Sequence, residues 1–435
     1  MKLFRKILVF ALSAAVVAGS LAALNRLVMP KYDGGEYPLE GNFTSEYYEE
    51  TTDHDVLMIG DCEVYENFDP MYLWKNFGIT SYIRGNAQQL TWQSYYMLED
   101  ALKYETPKVV IYNVQALTHD KPQREEYNRM TLDGMRWSKT KWDAVQASMC
   151  KDEKAIEYIF PLLRYHSRIT GLGEEDIRYF AKNRHVTCNG YYMRIDVLPA
   201  SEGGMGDTAW IEHDYPGELD SGDETAAATE DEAATGDDEA MTDEDIVDPW
   251  SEIELPDESS DEGGDIEDPW ADIDTGMDDV ITPVAYTDDD PKVPFGDMPM
   301  EYLDRIRKLC EKNGIKLILI KAPSLSPKWY ESQEKQVDQY AEKYGLPYIN
   351  FYELISETGI DYETDTYDGG LHMNYSGAKK LSEWLGRELT SRYGIHDSRA
   401  DAKLKAVYSE KLEFQQRLID AQEAELKLYG EVRNY

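Results

Sequence analysis

The apolar run Val56-Leu57-Met58-Ile59 stops at Gly60-Asp61 and then presents the thiol of Cys62. A short buried strand ending in a tight turn is how α/β hydrolytic folds hold up a nucleophile, and a thiolate attacks an acyl carbon well. Glu63 works against that thiolate, because a neighbouring carboxylate disfavours a second negative charge. His372 lies in Tyr367-Asp368-Gly369-Gly370-Leu371-His372-Met373-Asn374, just before a helical stretch. An imidazole there suits a general base that later serves as general acid, with Asp368 to orient the ring and Asp365 as the alternative carboxylate. Asn113 puts a polar amide inside an apolar strand, where it needs a partner. Gly85, in Arg84-Gly85-Asn86, follows a second strand candidate. Each residue has a plainer reading as well: Cys62 as packed core, Gly85 as a turn, Asn113 as a satisfied amide, His372 as a surface histidine.

The other chemistry-bearing residues form no pattern. Cys62, Cys150, Cys188 and Cys310 show no CxxC or Cys/His ligand spacing. One disulfide, such as Cys150 with Cys188, is compatible with the sequence, and Cys310 falls on an apolar helix face. His54, His119, His166, His185, His213 and His396 are scattered, with His166 a candidate to approach the site. No metal and no cofactor is expected. Aromatics near the motifs, among them Tyr65, Trp74, Trp92 and Tyr95, fit a core better than a sugar platform.

The elements that must position these residues alternate. Strands are predicted at Val56–Ile59, Ser81–Ile83, Lys108–Val114, Lys316–Ile320 and Tyr348–Phe351. Helices are predicted between them over Met71–Phe77, Trp92–Lys103, Pro299–Asn313 and Trp329–Tyr344, then over Gly377–Tyr393. Runs such as Val109-Val110-Ile111 are apolar on both faces, as in a buried parallel sheet. Residues 117–200 read as a helical insertion, with helices over Arg129–Trp137, Trp142–Met149, Glu157–His166 and Glu175–Asn183.

Charge and hydropathy divide the 435 residues further. Between 201 and 295 stand 34 Asp or Glu against the single Lys292, so −33 of the net −41 lies there. Such a tract cannot repay the entropy of folding and is expected to be disordered. Its two Asp-Pro-Trp blocks, at 248–250 and 268–270, could dock a partner. No basic patch is left to neutralise phosphates, which argues against nucleic acid as a partner. Lys2, Arg5 and Lys6 precede an uncharged stretch from Ile7 to Leu24. This reads as an uncleaved signal anchor ahead of a cleaved peptide, with everything after residue 30 outside the cytoplasm. The expected organisation is an anchor (1–30), a stalk (31–50), a domain in two parts (51–200 and 296–395) around the acidic insertion (201–295), and a charged, exposed or coiled helix (396–435).

Four segments resemble, in order, the consensus blocks of the SGNH (GDSL-type) hydrolases: Gly60-Asp61-Cys62, Arg84-Gly85-Asn86, Asn113, and Asp368 to His372. The resemblance implies a three-layer α/β/α, flavodoxin-like domain with a mostly parallel sheet. It implies Cys62 in place of serine, His372 with Asp368, and an oxyanion hole of Gly85 N–H and the Asn113 amide. Two departures stand out: the family's Asp-x-x-His is one residue longer here, and its Gly-x-Asn-Asp context is missing. With an anchor, the whole resembles the membrane-anchored envelope branch of the superfamily, the DltD-like and exopolysaccharide-acetylation-like proteins. That implies an esterase or O-acyltransferase on a cell-surface glycan or teichoic-acid-like polymer, at the outer face of a bacterial membrane. An acyl donor and a membrane-bound O-acyltransferase are the implied partners. The contrasting reading is a catalytically silent envelope protein that binds a glycan or a partner through the same fold.

Overall fold

The computed structural model describes residues 2–29, 42–122, 124–151, 153–173, 176, 187–202, 293–325 and 329–433. All but residue 176 of the expected helix over 175–183, most of the stalk and nearly all of the acidic tract lie outside these residues. Helix α1 (Lys2–Val28) carries the N-terminal apolar stretch. It is long and apolar enough to cross a membrane, a property that a signal sequence shares. After α2 (Asn42–Glu46) the body opens with β1 (Val56–Gly60), α3 (Cys62–Tyr65), α4 (Pro70–Phe77), β2 (Ser81–Gly85), α5 (Thr91–Ala101) and β3 (Val109–Asn113). Among the described residues four short helices follow: α6 (Glu125–Leu132), α7 (Lys139–Ser148), α8 (Ala155–Ile159) and α9 (Pro161–Tyr165). The α/β rhythm resumes with α10 (Asp297–Lys312), β4 (Lys316–Lys321), α11 (Glu331–Tyr344) and β5 (Tyr348–Asn350). It closes with α12 (Ile355–Thr358), α13 (Tyr375–Arg392) and α14 (Ala402–Tyr429).

The five strands form one parallel sheet in the order β2-β1-β3-β4-β5. Successive residues of each strand point to opposite faces. Val56, Met58, Ile83, Ile111, Ile318 and Ile320 meet α4, α13 and α14 on one face. Leu57, Ile59, Val110, Tyr112, Leu317 and Leu319 meet α5, α10 and α11 on the other. The three layers and the parallel sheet agree with the sequence reading. The apolar runs have no polar face because neither side of the sheet meets water.

Three expectations needed revision. The predicted helix over 157–166 is two helices, since Pro161 has no N–H to donate and opens a new helix instead of continuing the old one. The helix predicted over 129–137 runs from Glu125 and stops before Gly134. The C-terminal helix is neither free nor coiled with another. Tyr408 stacks on Trp74 at 4.2 Å, Gln415 Nε2 donates to Asp69 Oδ2 at 2.9 Å, and Gln422 Nε2 donates to the Met193 carbonyl. The folded body therefore takes in α14, and also α2, whose Phe43 is buried against the core. All four cysteines are free thiols, so no Cys150–Cys188 bridge forms.

His54 is buried at the N-terminal edge of the sheet between Glu105, at 3.0 Å from Nδ1, and Glu50, at 3.7 Å from Nε2. Burial alone would lower its pKa, but hydrogen bonds and charge from Glu105 and Glu50 raise it to about 9. A folded-state pKa above the unfolded value of about 6.5 stabilises the protein fully below pH 6.5. That contribution, about 3 kcal/mol, is lost as pH rises from 6.5 through 9. The melting temperature should fall across that window, and His54→Gln should flatten the fall. An equal fall in the variant would assign the pH dependence elsewhere.

Candidate active site

The strand order reverses direction between β1 and β3, and ligands of open α/β sheets bind in the crevice at such a switch, beyond the C-terminal strand ends. Cys62 follows β1 and Asn113 ends β3, so both flank that crevice. Gly60 is required there: a Cβ on it would sit 2.5 Å from Val64 Cγ2 and 3.0 Å from Asn113 Cβ. Gly85 pairs with Gly60 across the β1–β2 ladder, and its own Cβ would lie 3.0 Å from the Gly60 carbonyl oxygen. Both glycines let backbone crowd against the turn that carries Cys62. Asp61 caps α3 by accepting from Glu63 N, which places Cys62 at the first position of the helix.

His372 arrives from the other end of the chain. Gly369 and Gly370, at φ of 76° and 101°, bend the loop so that Asp368 Oδ1 accepts from His372 N at 2.8 Å and Oδ2 lies 2.6 Å from Nδ1. The extra residue in the spacing is thus absorbed by two left-handed glycines. Asp365, the alternative partner, is instead paired with Lys380. Asn374 caps α13 through Ser376 N and Gly377 N, and Asn67 Oδ1 accepts from Met373 N at 2.8 Å, which ties the loop to the segment after Cys62. Cys62 Sγ, a His372 ring nitrogen and a Glu66 carboxylate oxygen all lie within 4.8 Å of one another. His166, by contrast, lies beyond α9 with Nδ1 on the Leu163 carbonyl.

Two residues here escaped sequence reasoning. Glu66 faces His372 Nδ1 at 3.5 Å and accepts a hydrogen bond from the Tyr367 hydroxyl. The signal was available: a carboxylate four positions after Cys62 shares its helical face. Lys321 is wholly buried at the end of β4, with Nζ 3.1 Å from both Glu63 oxygens and donating to the Ala322 carbonyl at 2.7 Å. It compensates the carboxylate that stands beside the thiol. The Asn113 amide completes this cluster, donating to Asp61 Oδ1 at 3.1 Å and Glu63 Oε2 at 3.0 Å, while its Oδ1 accepts from Ala322 N. Both of its N–H groups are therefore turned into carboxylates and not into the crevice.

The electrostatics follow from burial among acids. Burial raises Cys62 most, the neighbouring His372 pulls it down, and Asp61 and Glu66 raise it again, to about 11. For His372, burial favours the neutral ring, but Glu66, Cys62 and Asp368 together push its pKa well above the usual value. Burial and the Glu63 charge raise Asp61, against the Asn113 hydrogen bond and Lys321. Burial likewise raises Glu66, with His372 opposing. At neutral pH the site rests as a thiol beside an imidazolium. Because His372 lowers the thiol pKa, His372→Ala should slow alkylation of Cys62 by iodoacetamide at pH 8 about tenfold, the effect of one pKa unit. Peptide mapping would separate Cys62 from Cys150; an unchanged rate at Cys62 would mean the two groups do not communicate.

Thiolate, imidazole and carboxylate from Cys62, His372 and Glu66 are also donors that suit a zinc-sized cation. No protein-family model, curated protein or solved structure matches the chain. What the residues can do must therefore be read from their chemistry.

Proposed function

We propose that the protein is an extracytoplasmic SGNH-like esterase or O-acyltransferase that uses Cys62 as nucleophile on an acylated cell-surface glycan or teichoic-acid-like polymer. A membrane-bound O-acyltransferase is the proposed source of acyl groups, and α1 the anchor. One observation carries the reading: a strand-end thiol at the switch point of the sheet, beside an imidazole whose Nδ1 lies 2.6 Å from a buried carboxylate. Loss of one proton from the resting site gives a thiolate paired with the imidazolium. The Cys62 sulfur attacks the acyl carbon, the carbon–oxygen ester bond breaks, and His372 gives its proton to the departing alkoxide. The neutral ring then takes the proton of water or of an acceptor hydroxyl as that oxygen attacks the thioester, the carbon–sulfur bond breaks, and the Cys62 thiolate leaves beside the imidazolium. Asp368 holds the ring, and Glu66 and Tyr367 steady its charge. Gly85, paired with Gly60 across the ladder, is the other oxyanion donor that the resemblance implies, through its N–H. Asn113 serves only when its amide leaves Asp61 or Glu63.

A thiol at about 11 sets the pH dependence. Between pH 7 and 9.5 the thiolate fraction rises about tenfold per pH unit. Turnover of p-nitrophenyl acetate by the full chain, after subtraction of the Cys62→Ala background, should climb with that slope. The same two facts, the raised thiol and the committed Asn113 amide, favour a second reading, a silent binding protein on this fold. A rate indistinguishable from the Cys62→Ala background at every pH would establish it.

A further inference from the structure

The segment after α7 exposes four large apolar side chains close together in sequence. Ile156 is 46 % exposed, Phe160 41 %, Leu163 51 % and Ile169 47 %. They fall within fourteen residues of sequence, on α8, on Phe160 that joins it to α9, on α9 and on the turn His166–Gly171, and these elements pack together. Scattered apolar residues on a surface need no explanation, but a cluster does.

The position of the cluster says what covers it. α9 and the turn after it also pack against the C-terminal end of α1. Leu162 N donates to Asn25 Oδ1 at 2.9 Å, and Arg168 donates to the Val28 carbonyl at 2.7 Å. Val28 is fully buried, whereas the apolar window of α1 before it is bare. Leu163 and Ile169 are the immediate chain neighbours of the two residues that grip α1. The exposed apolar side chains therefore lie on the elements that hold the end of the bare helix, or on the helix packed next to them. Lys154, Arg164 and Arg168 lie among them with partly exposed side chains, paired with Glu157, Glu125 and Asp176; apolar groups interleaved with long amphipathic side chains suit a headgroup boundary.

We propose that Ile156, Phe160, Leu163 and Ile169 form a monotopic membrane-contact face that sits in the headgroup–acyl boundary of the leaflet from which α1 emerges. The occupant is lipid, because the face is continuous with a helix apolar enough to cross the bilayer. It fixes the body against the membrane instead of leaving it on a free tether. This holds whether or not Cys62 is catalytic.

The test uses the full chain in vesicles of phosphatidylcholine and phosphatidylglycerol that contain a phospholipid with a diazirine in its acyl chain. After photolysis and digestion, lipid adducts are expected on peptides spanning 156–169 as well as on α1. Adducts confined to α1, or absent from both segments, would overturn the proposal. In the variant Ile156→Glu/Phe160→Glu/Leu163→Glu/Ile169→Glu, adducts over 156–169 should fall at least tenfold while those on α1 persist. Unchanged labelling of 156–169 in that variant would also overturn it. So would chains that pair in the bilayer with 156–169 unlabelled, since a second copy would then cover the face.

Discussion

Cys62→Ala is expected to lower ester turnover to background, a loss of about 10³-fold or more where the nucleophile acts with its base as a unit. Cys62→Ser should be nearly as inactive as the alanine variant, and this second result is the more informative. A serine hydroxyl needs a neutral base to remove its proton in the attack. Against burial, Glu66, Cys62 and Asp368 push the His372 pKa well above its usual value, which disfavours that neutral base at neutral pH. A thiol can ionise beside the imidazolium; a hydroxyl cannot. A serine variant within tenfold of the parent would show that His372 is neutral at rest and that the charge state drawn from its neighbours is wrong.

Lys321→Met is expected to destabilise the protein by about 3–5 kcal/mol, the usual cost of leaving one partner of a buried ion pair without the other. Nζ contacts both Glu63 oxygens at 3.1 Å, and neither residue reaches solvent to any extent. Removing the ammonium leaves Glu63 beside Asp61, with one Asn113 amide between them. The paired replacement Lys321→Met/Glu63→Gln should recover most of the loss, since the uncompensated charge goes with it. Urea denaturation of the three proteins measures both effects. A loss under 1 kcal/mol in the single variant would mean that the Lys321–Glu63 pair contributes little to stability.

Much of this architecture was legible because periodicity and punctuation agree. Val109-Val110-Ile111 has no polar face, and it lies between two helical layers. Gly60-Asp61 after an apolar run marked the nucleophile turn, and the turn is built as a capped helix start. The loop at 367–374 marked the histidine, and the two glycines that lengthen its spacing are what let Asp368 reach the ring.

What the sequence hid is pairing across long separations. Lys321 and Glu63 are 258 positions apart, and no local pattern joins them. Asn113 was expected to aim at an oxyanion, but two carboxylates beside it compete for its N–H groups, and in the dry interior they win. The C-terminal helix reads as a solvated rod because Lys411, Gln415 and Gln422 are polar. They are buried all the same, since each meets a polar partner in the body.

The central claim is that Cys62 carries an acyl group. Intact-protein mass spectrometry after exposure of the full chain to p-nitrophenyl acetate at pH 9 tests it most directly. The account predicts a single acetyl adduct on Cys62 that hydroxylamine removes, that decays in buffer, and that is absent from Cys62→Ala. No adduct on Cys62, or a permanent one formed equally well in His372→Ala, would contradict it.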